Sequence, residues 1–536
     1  MNAPFSTDRS GLLEKLKGAL PGLQFETAGL DLYSTDIFYE SPFTALAVAV
    51  PADAAQVQAL VKAAGQLGVS LSSRGAGLSY SAGYIPADDH TIIVDTRRLD
   101  RIVEINERDR YVTVEAGVTW ATLYEALKPT GLTPPFWGTF SGKRATIGAG
   151  VSQGAKFYGS GFRGTSGDSV IGLRVVTGKG ELLTTGSAAS IHRATPFYRN
   201  YGPDMTGMFL ADSGAFGIKV EVTLQLVPAA KEIEVAAFSF PESGPLMEAM
   251  GTIGAEALAS ESFALDPASV RARLVSEGVG DDLKTLKAVA SSGGSRLKGL
   301  KEAASVAIGG RRFADRIGFL LSCVTEGRDA NDARARMERV REIAAAHGAS
   351  ETASSVPRVM RAQPFPEPNA IISPTGKRIN WLHTVVPNSR ASECFDATEG
   401  VYARHAEAVE RFGIEHGYFL TTNGPSGVGV ETLIYWRDAA LPIHSHYSGK
   451  IVERVGVGEH DPEARKAVGA ITRDIIRTWS EMGAVHLQIG KKYPYLETRE
   501  PATADLLRGF KAMVDPLGII NPGNLFEKHV DHGERS

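Results

Sequence analysis

Ser73-Arg74-Gly75-Ala76-Gly77-Leu78-Ser79-Tyr80-Ser81-Ala82-Gly83 is the densest signal in the chain. Glycines two apart let consecutive backbone N–H groups turn inward and form a nest for a diphosphate, while Arg74 adds charge and Ser79 a hydroxyl donor. A single Gly-x-Gly loop is more often a tight turn than a site. Two further stretches change that weighting. Ala145-Thr146-Ile147-Gly148-Ala149-Gly150-Val151-Ser152-Gln153-Gly154 permits close approach of backbone to a flat ring or a phosphate, and residues 202–218, with Gly214, Gly217 and Ile218, run directly into a strand pattern. Three such loops in one region point to a dinucleotide.

Other glycine-loop chemistries fail on spacing. Gly75-Ala76-Gly77-Leu78-Ser79-Tyr80 lacks the third Gly of a Rossmann fingerprint, and Gly148, Gly150 and Gly154 carry one spacer too many. Gly138 to Gly142-Lys143-Arg144 lacks both the spacer and the Ser/Thr of a phosphate-binding P-loop.

Around these loops, residues up to about 230 alternate short β-branched runs with glycine-rich joints: Ala47 to Pro51, Val69 to Ser72, Thr91 to Asp95, Tyr111 to Glu115, Leu173 to Thr177 and Ile218 to Val227 read as strands, with a helix over Ala54 to Leu67. Beyond Pro228, helical periodicity dominates in Asp329 to His347, Ser389 to Phe412 and Pro462 to Met482. Strands are expected at Ile317 to Val324, Ile379 to Val386, Tyr418 to Thr422 and Thr432 to Trp436. Ser291 to Ser295 reads as a loop within an insertion. A chain of 536 residues is several times the ~150 typical of one domain, so two α+β units are expected.

Composition narrows the partners. A hydrophobic share of 43% with 22% charged residues is globular, and 58 glycines exceed the usual ~7% share. The net charge of -4 gives no bulk attraction to nucleic acid or an anionic membrane, which leaves a small-molecule substrate. The two cysteines, Cys323 and Cys394, have neither disulfide-framework nor zinc spacing, so no metal site is expected. Without a signal-peptide pattern or an apolar run of membrane length, a soluble, cytoplasmic protein is the expectation.

At the loops the sequence resembles the vanillyl-alcohol oxidase / p-cresol methylhydroxylase superfamily of FAD-linked oxidases. Arg74 to Ser79 is similar to the family's Arg-Gly-Gly-Gly-Thr/His-Ser loop, Ala145 to Ala149 to its Ala-Thr/Ser-Ile-Gly-Gly loop, and Ala211 to Ile218 to its Gly-Ser-Glu-Gly segment. Asp515 to Phe526 resembles its C-terminal tail, and Val386 to Ser389 its Val-Pro-x-Ser turn. The resemblance implies a two-domain α+β FAD-binding fold of the p-cresol methylhydroxylase type, with an α+β cap. The expected division is an N-terminal segment (1–39), an FAD-binding domain (40–229), a cap (230–500) with a helical insertion near 265–315, and a tail (501–536) returning to the FAD domain. It places FAD against Arg74, Gly75, Ala76, Gly77, Leu78, Ser79, Thr146, Gly148, Ala149, Ser152, Gly154, Gly214, Gly217, Ile218 and Asn521.

This chain departs from the family in ways that matter. Leu78 stands where some members attach FAD through a His, and no cysteine lies in residues 1–322, so noncovalent FAD is expected; attachment through a cap His or Tyr stays open. Ser213-Gly214 replaces Glu-Gly. Members that oxidise 2-hydroxy acids carry a His-x-Gly-Asp-Gly-Asn-x-His motif, but residues 420–431 here hold no His pair, which disfavours that chemistry.

Oxidation of an alcohol needs a base for the O–H proton and a donor near the reduced flavin. Gly483 to Leu496 resembles the family's active-site loop, making His486 the expected base or donor with Gln488 beside it. Trp381 and His383 share a strand face by period two, His383 as a second proton acceptor and Trp381 as a ring platform. Tyr435, Arg437 and Tyr493 can hold a phenolate, whereas His444 and His446 read as loop residues. The expected activity is hydride transfer from an alcohol or benzylic carbon of an aromatic or phenolic compound to flavin N5, with oxygen or another electron acceptor closing the cycle. A redox-neutral lyase or synthase and a 2-hydroxy-acid dehydrogenase are the alternatives, and a homodimer is an open alternative to a monomer.

Overall fold

The β-branched runs become strands where helices or loops can cover both of their faces. The computed structural model describes residues 9–192, 195–270 and 318–526; the expected insertion near 265–315, with the Ser291 to Ser295 loop, falls almost wholly outside them. Strands Ala47–Val50, Ile92–Asp95 and Leu71–Arg74 are parallel neighbours, and Gln24–Glu26 adds an antiparallel edge. The crossover helix Ala54–Leu67 starts where the Asp53 carboxylate accepts the Gln56 N–H and ends at Gly68, whose φ of 68° lets the chain leave in a left-handed turn. Its apolar stripe of Val57, Leu60, Val61 and Ala64 packs on Leu71, Ile92 and Val94. The strand anticipated at Val69 to Ser72 lies two residues later, so Arg74 is its last residue and the glycine loop leaves from the carboxyl end of the sheet.

A five-stranded antiparallel sheet follows, in the order Ile102–Asn106, Tyr111–Glu115, Ile218–Gln225, Val170–Val176, Leu182–Thr184. The C-terminal segment closes onto the first sheet: Leu71 N–H donates to Ile519 O at 2.8 Å and Asn521 N–H to Leu71 O at 2.7 Å. Lys511 secures this return by donating to the carbonyls of Ala215 (2.7 Å) and Ile520 (3.0 Å) and to Asp515 (2.5 Å).

The third large sheet is antiparallel and holds eight strands. Its order is Ser350–Thr352, Glu232–Phe240, Phe319–Gly327, Glu261–Leu265, Glu415–Asn423, Gly427–Trp436 and Arg378–Leu382, with Val385–Pro387 also paired to Gly427–Trp436. Alternation sorts its side chains. Val430, Ile434 and Trp436 join the core under helices Ala391–Arg404 and Pro462–Glu481, while Leu433 joins Phe263, Ile379 and Phe419 on the opposite face.

Two expected elements are divided. The helix expected over Ser389 to Phe412 breaks at His405, which leaves helical geometry and brings its Nε2 to 2.7 Å from Asp474 Oδ2. The strand expected over Ile379 to Val386 breaks at His383-Thr384, because the His383 N–H donates to the Tyr493 hydroxyl at 2.8 Å instead of to a neighbouring strand. No helix among the described residues is long and apolar enough to cross a membrane.

Asn521 stitches these pieces together. Its Oδ1 accepts from Ser73 N–H at 2.8 Å and its Nδ2 donates to Gly214 O at 2.7 Å. Asn521→Ala leaves the buried Gly214 carbonyl and the half-buried Ser73 N–H without this partner and should cost about 1–3 kcal/mol, read as a lower urea midpoint. An unchanged midpoint would remove this tie from the account of how the tail is held.

Candidate active site

Four chain segments meet where the first sheet ends. A Cβ on Gly75 would lie 2.4 Å from Thr146 Oγ1 and 3.2 Å from Ala149 Cβ, so the first and second glycine stretches touch through the missing side chain. Ser213 N–H donates to Ser152 O at 2.7 Å, joining the third stretch to the second. Asn521, from the tail, lies against Ser73 and Gly214.

Arg74 is buried at this junction. Its guanidinium sits 4.0 Å from Asp95 and 4.5 Å from the Tyr33 ring centroid, and its Nε makes no hydrogen bond. It lies over Gly77, where a Cβ would come within 2.3 Å of it. A buried cation with an unspent donor, beside side-chain-poor backbone, suits a dianionic diphosphate.

The other expected cofactor residues divide by environment. The Ala76 carbonyl accepts from the Tyr447 hydroxyl at 2.5 Å, Ser79 pairs with Ser81 at 2.9 Å, and Ser152 Oγ donates to Gly148 O at 2.8 Å. Leu78 packs on Ile37, Ile371 and Leu441. Gly154 turns the chain out of the helix Ile147–Gln153 with φ 63°. Gly148 and Gly217 admit close packing, against Ala116 and Val175 respectively, and Ile218 is core. Gly150-Val151-Ser152-Gln153-Gly154 has the spacing of a hydrolase nucleophile elbow, yet Ser152 lies within that helix rather than on a strand-to-helix turn.

The loop Leu487 to Lys492 inserts among these segments. Gln488 N–H donates to Gln153 O (2.9 Å), Gly490 N–H to Ser213 Oγ (2.9 Å) and Lys491 N–H to Ser81 O (2.9 Å). This loop thereby joins the glycine stretches to His383 at the end of the eight-stranded sheet, where the Gln488 amide lies 3.3 Å from His383 Nε2.

On the cap sheet, His383, Trp381 and Lys156 converge on Glu431. His383 Nδ1 lies 3.0 Å from Glu431 Oε2, and Trp381 Nε1 donates to the same oxygen at 2.6 Å. Lys156 pairs with Oε1 and donates to Thr421 Oγ1 at 2.8 Å. The Tyr80 ring stacks on His383 at 5.3 Å and on Trp381 at 6.1 Å. Phe157, Phe263 and Phe419 continue the aromatic wall with centroids 5.7–5.9 Å apart, and a small cleft bounded by Lys156, Phe157, Glu261, Phe263 and Thr421 opens beside it.

Electrostatics assigns the proton. Burial opposes ionisation of Glu431, but Lys156 and then His383 overcome it and hold the carboxylate at about 2. Burial lowers His383 from its ordinary value despite Glu431. A carboxylate only accepts, so a neutral imidazole suits this site with its proton on Nδ1; that atom lies 3.0 Å from Oε2 without the alignment of a hydrogen bond, and Nε2 lies 3.3 Å from the Gln488 amide.

The remaining candidates scatter around this array. His486 lies behind His383: its Nδ1 is 3.2 Å from the His383 carbonyl, its Nε2 is 3.3 Å from Ser480, and its ring stacks on Tyr493 at 4.4 Å. Burial lowers it to about 4. Tyr493 receives the His383 N–H, so its hydroxyl is engaged with backbone. Tyr435 shares the face of Leu433, whereas Arg437 is exposed past the strand end and does not join the array. Sequence reasoning passed over Glu431, Lys156, Tyr80 and Thr421. A signal was present for one: Glu431 interrupts the apolar run Val428 to Ile434, where an acid must be buried and paired.

Gly77 carries a test of the cradle. With φ 75° and the Arg74 guanidinium in the way, Gly77→Val should sharply lower FAD occupancy in the purified protein, measured from the visible spectrum. Full occupancy would contradict placement of the diphosphate beside this loop.

Comparison with known proteins agrees with this architecture. Residues 45–186 match the FAD binding domain model, and residues 231–525 match the C-terminal domain of FAD linked oxidases. The chain is 29% identical over 254 residues to a D-2-hydroxyglutarate dehydrogenase of Xanthomonas citri pv. viticola, covering 46% of this chain and 51% of that one. It thus spans about half the length of that curated relative. A D-lactate dehydrogenase of Archaeoglobus fulgidus is 23% identical over 491 residues, covering 90% of this chain and 91% of its own. The substrate-bound crystal structure of p-cresol methylhydroxylase superposes with a TM-score of 0.73 at 16% identity, over 97% of this chain and 98% of that one, which establishes a shared fold. With the FAD binding domain and the C-terminal domain both matched in order, the chain belongs to the FAD-linked oxidases.

Proposed function

We propose that this FAD-linked oxidase oxidises the alcohol or benzylic carbon of a small aromatic compound, with His383 as the base. The observation that carries the reading is the Lys156–Glu431–His383 array set into an aromatic wall beside the cofactor cradle. Bound FAD supplies the hydride acceptor. The substrate O–H donates to His383 Nε2, and Glu431 steadies the imidazolium that forms. The Gln488 amide, 3.3 Å from Nε2, gives up that single lone pair to the incoming hydroxyl. Tyr80, Trp381 and Phe419 provide flat apolar surface that suits an aromatic substrate and keeps water from the exchange. His486 holds the His383 carbonyl and the Tyr493 ring, a supporting place rather than a receiving one. FAD is held noncovalently on this reading: Leu78 packs in an apolar cluster, and Cys323 and Cys394 are both buried in the cap.

A 2-hydroxy acid is the second reading, favoured by the names of the dehydrogenases similar in sequence. Against it, Lys156 is already paired with Glu431, and among the described residues no three His, Cys, Asp or Glu side chains are grouped to hold a metal ion. Anaerobic mixing separates the readings: lasting flavin bleaching by 4-hydroxybenzyl alcohol but not by D-lactate supports the first, and the reverse supports the second. Turnover that leaves the flavin oxidised supports redox-neutral chemistry.

His383→Gln should slow flavin reduction by about 10²–10⁴-fold with FAD retained, and an unaltered rate would remove His383 from the mechanism. The pH profile has a defined sign. A base works unprotonated, and burial lowers the His383 pKa, so reduction should hold its plateau through neutral pH and fall only as pH drops below the ordinary imidazole range. A decline beginning above that range would contradict the assignment.

A further inference from the structure

We propose that Lys156 is a positioning residue that sets the pH at which the Glu431–His383 pair takes up its proton, an inference that rests on His383 being the base. Lys156 follows Gly154-Ala155, inside the stretch that matches the FAD binding domain, yet its ammonium is buried in the cap sheet. The opening that admits it is a missing side chain. Gly429 faces Thr421 across the hairpin, and a Cβ there would lie 2.4 Å from both Lys156 Nζ and Thr421 Oγ1. Gly429 is not among the glycines of positive φ, so the space taken by Lys156, not backbone strain, excludes a larger residue.

Lys156 divides the work of the carboxylate. Oε1 faces the ammonium, while Oε2 faces His383 Nδ1 and Trp381 Nε1. A carboxylate already neutralised by a cation attracts an imidazolium less, so the pair holds its proton only at lower pH. Without the ammonium, the buried carboxylate and imidazole share one proton up to higher pH, whichever of the two carries it.

The other groups facing the pair do not replace Lys156. Tyr80 and Tyr493 are buried phenols with raised pKa values, Gln488 is uncharged, and His486 is lowered by burial. Lys492 is committed to Asn380 Oδ1 at 2.7 Å and the Trp381 carbonyl at 3.1 Å.

The test is a 15N NMR titration of the histidine-labelled holoenzyme, with the His383 signals assigned by their loss in His383→Gln. Lys156→Met should raise the midpoint of the His383 transition by about one pH unit or more, while Lys156→Arg stays within about half a unit of the parent. An unmoved midpoint in Lys156→Met overturns the proposal. Should that variant fail to fold, Gly429→Ala places a methyl against the ammonium and should raise the midpoint in the same direction; no shift there overturns the proposal equally. The base assignment fails separately. It falls if His383→Gln leaves anaerobic flavin reduction by 4-hydroxybenzyl alcohol unaltered, even where the midpoint shift is seen.

Discussion

A carboxylate removed from water must be met by positive charge or hydrogen-bond donors, and Glu431 is met by three partners from two separate parts of the chain. Lys156 arrives from the end of the second glycine stretch, His383 from a break in a cap strand, and Trp381 from two residues earlier. Satisfying one buried acid therefore ties the hairpin strand Gly427–Trp436 both to the strand Arg378–Leu382 and to the segment after Gly154. A buried ion pair is weak evidence for net stability, because desolvation offsets its attraction. Its value here is geometric: it sets one imidazole with Nδ1 toward the carboxylate and Nε2 toward the Gln488 amide.

The cofactor cradle follows the opposite rule. Its segments approach because they lack side chains, and Gly75 against Thr146 or Gly214 against Asn521 leaves no room for even a Cβ. Backbone donors and one buried guanidinium remain as the chemistry of the surface. The loop Leu487 to Lys492 links the two regimes, with its N–H groups in the cradle and Gln488 beside His383.

Much of the framework was legible from local signals. The helix Ala54–Leu67 carries its cap at Asp53 and its stop at Gly68, and strand Tyr111–Glu115 has the expected bounds, because propensity and packing agree there. The misjudged spots are those where a distant residue captures a backbone group. The Tyr493 hydroxyl takes the His383 N–H and divides a strand, and Asp474 receives the His405 ring where a helix ends. The two histidines considered as the base are told apart only by such distant contacts. His486 and His383 look alike in sequence, and what differs is their neighbours: Ser480 and a carbonyl for one, Glu431 for the other, which is the difference the proposed assignment of the base rests on.

By itself, the sequence determined the α+β class, the three glycine stretches and the flavin family, because small residues and period-two runs act through backbone sterics that need no distant partner. Tertiary structure alone decided which charged side chains meet. Lys156 and Glu431 are 275 positions apart, and no local pattern records a pairing that exists only because a buried charge excludes every unneutralised arrangement.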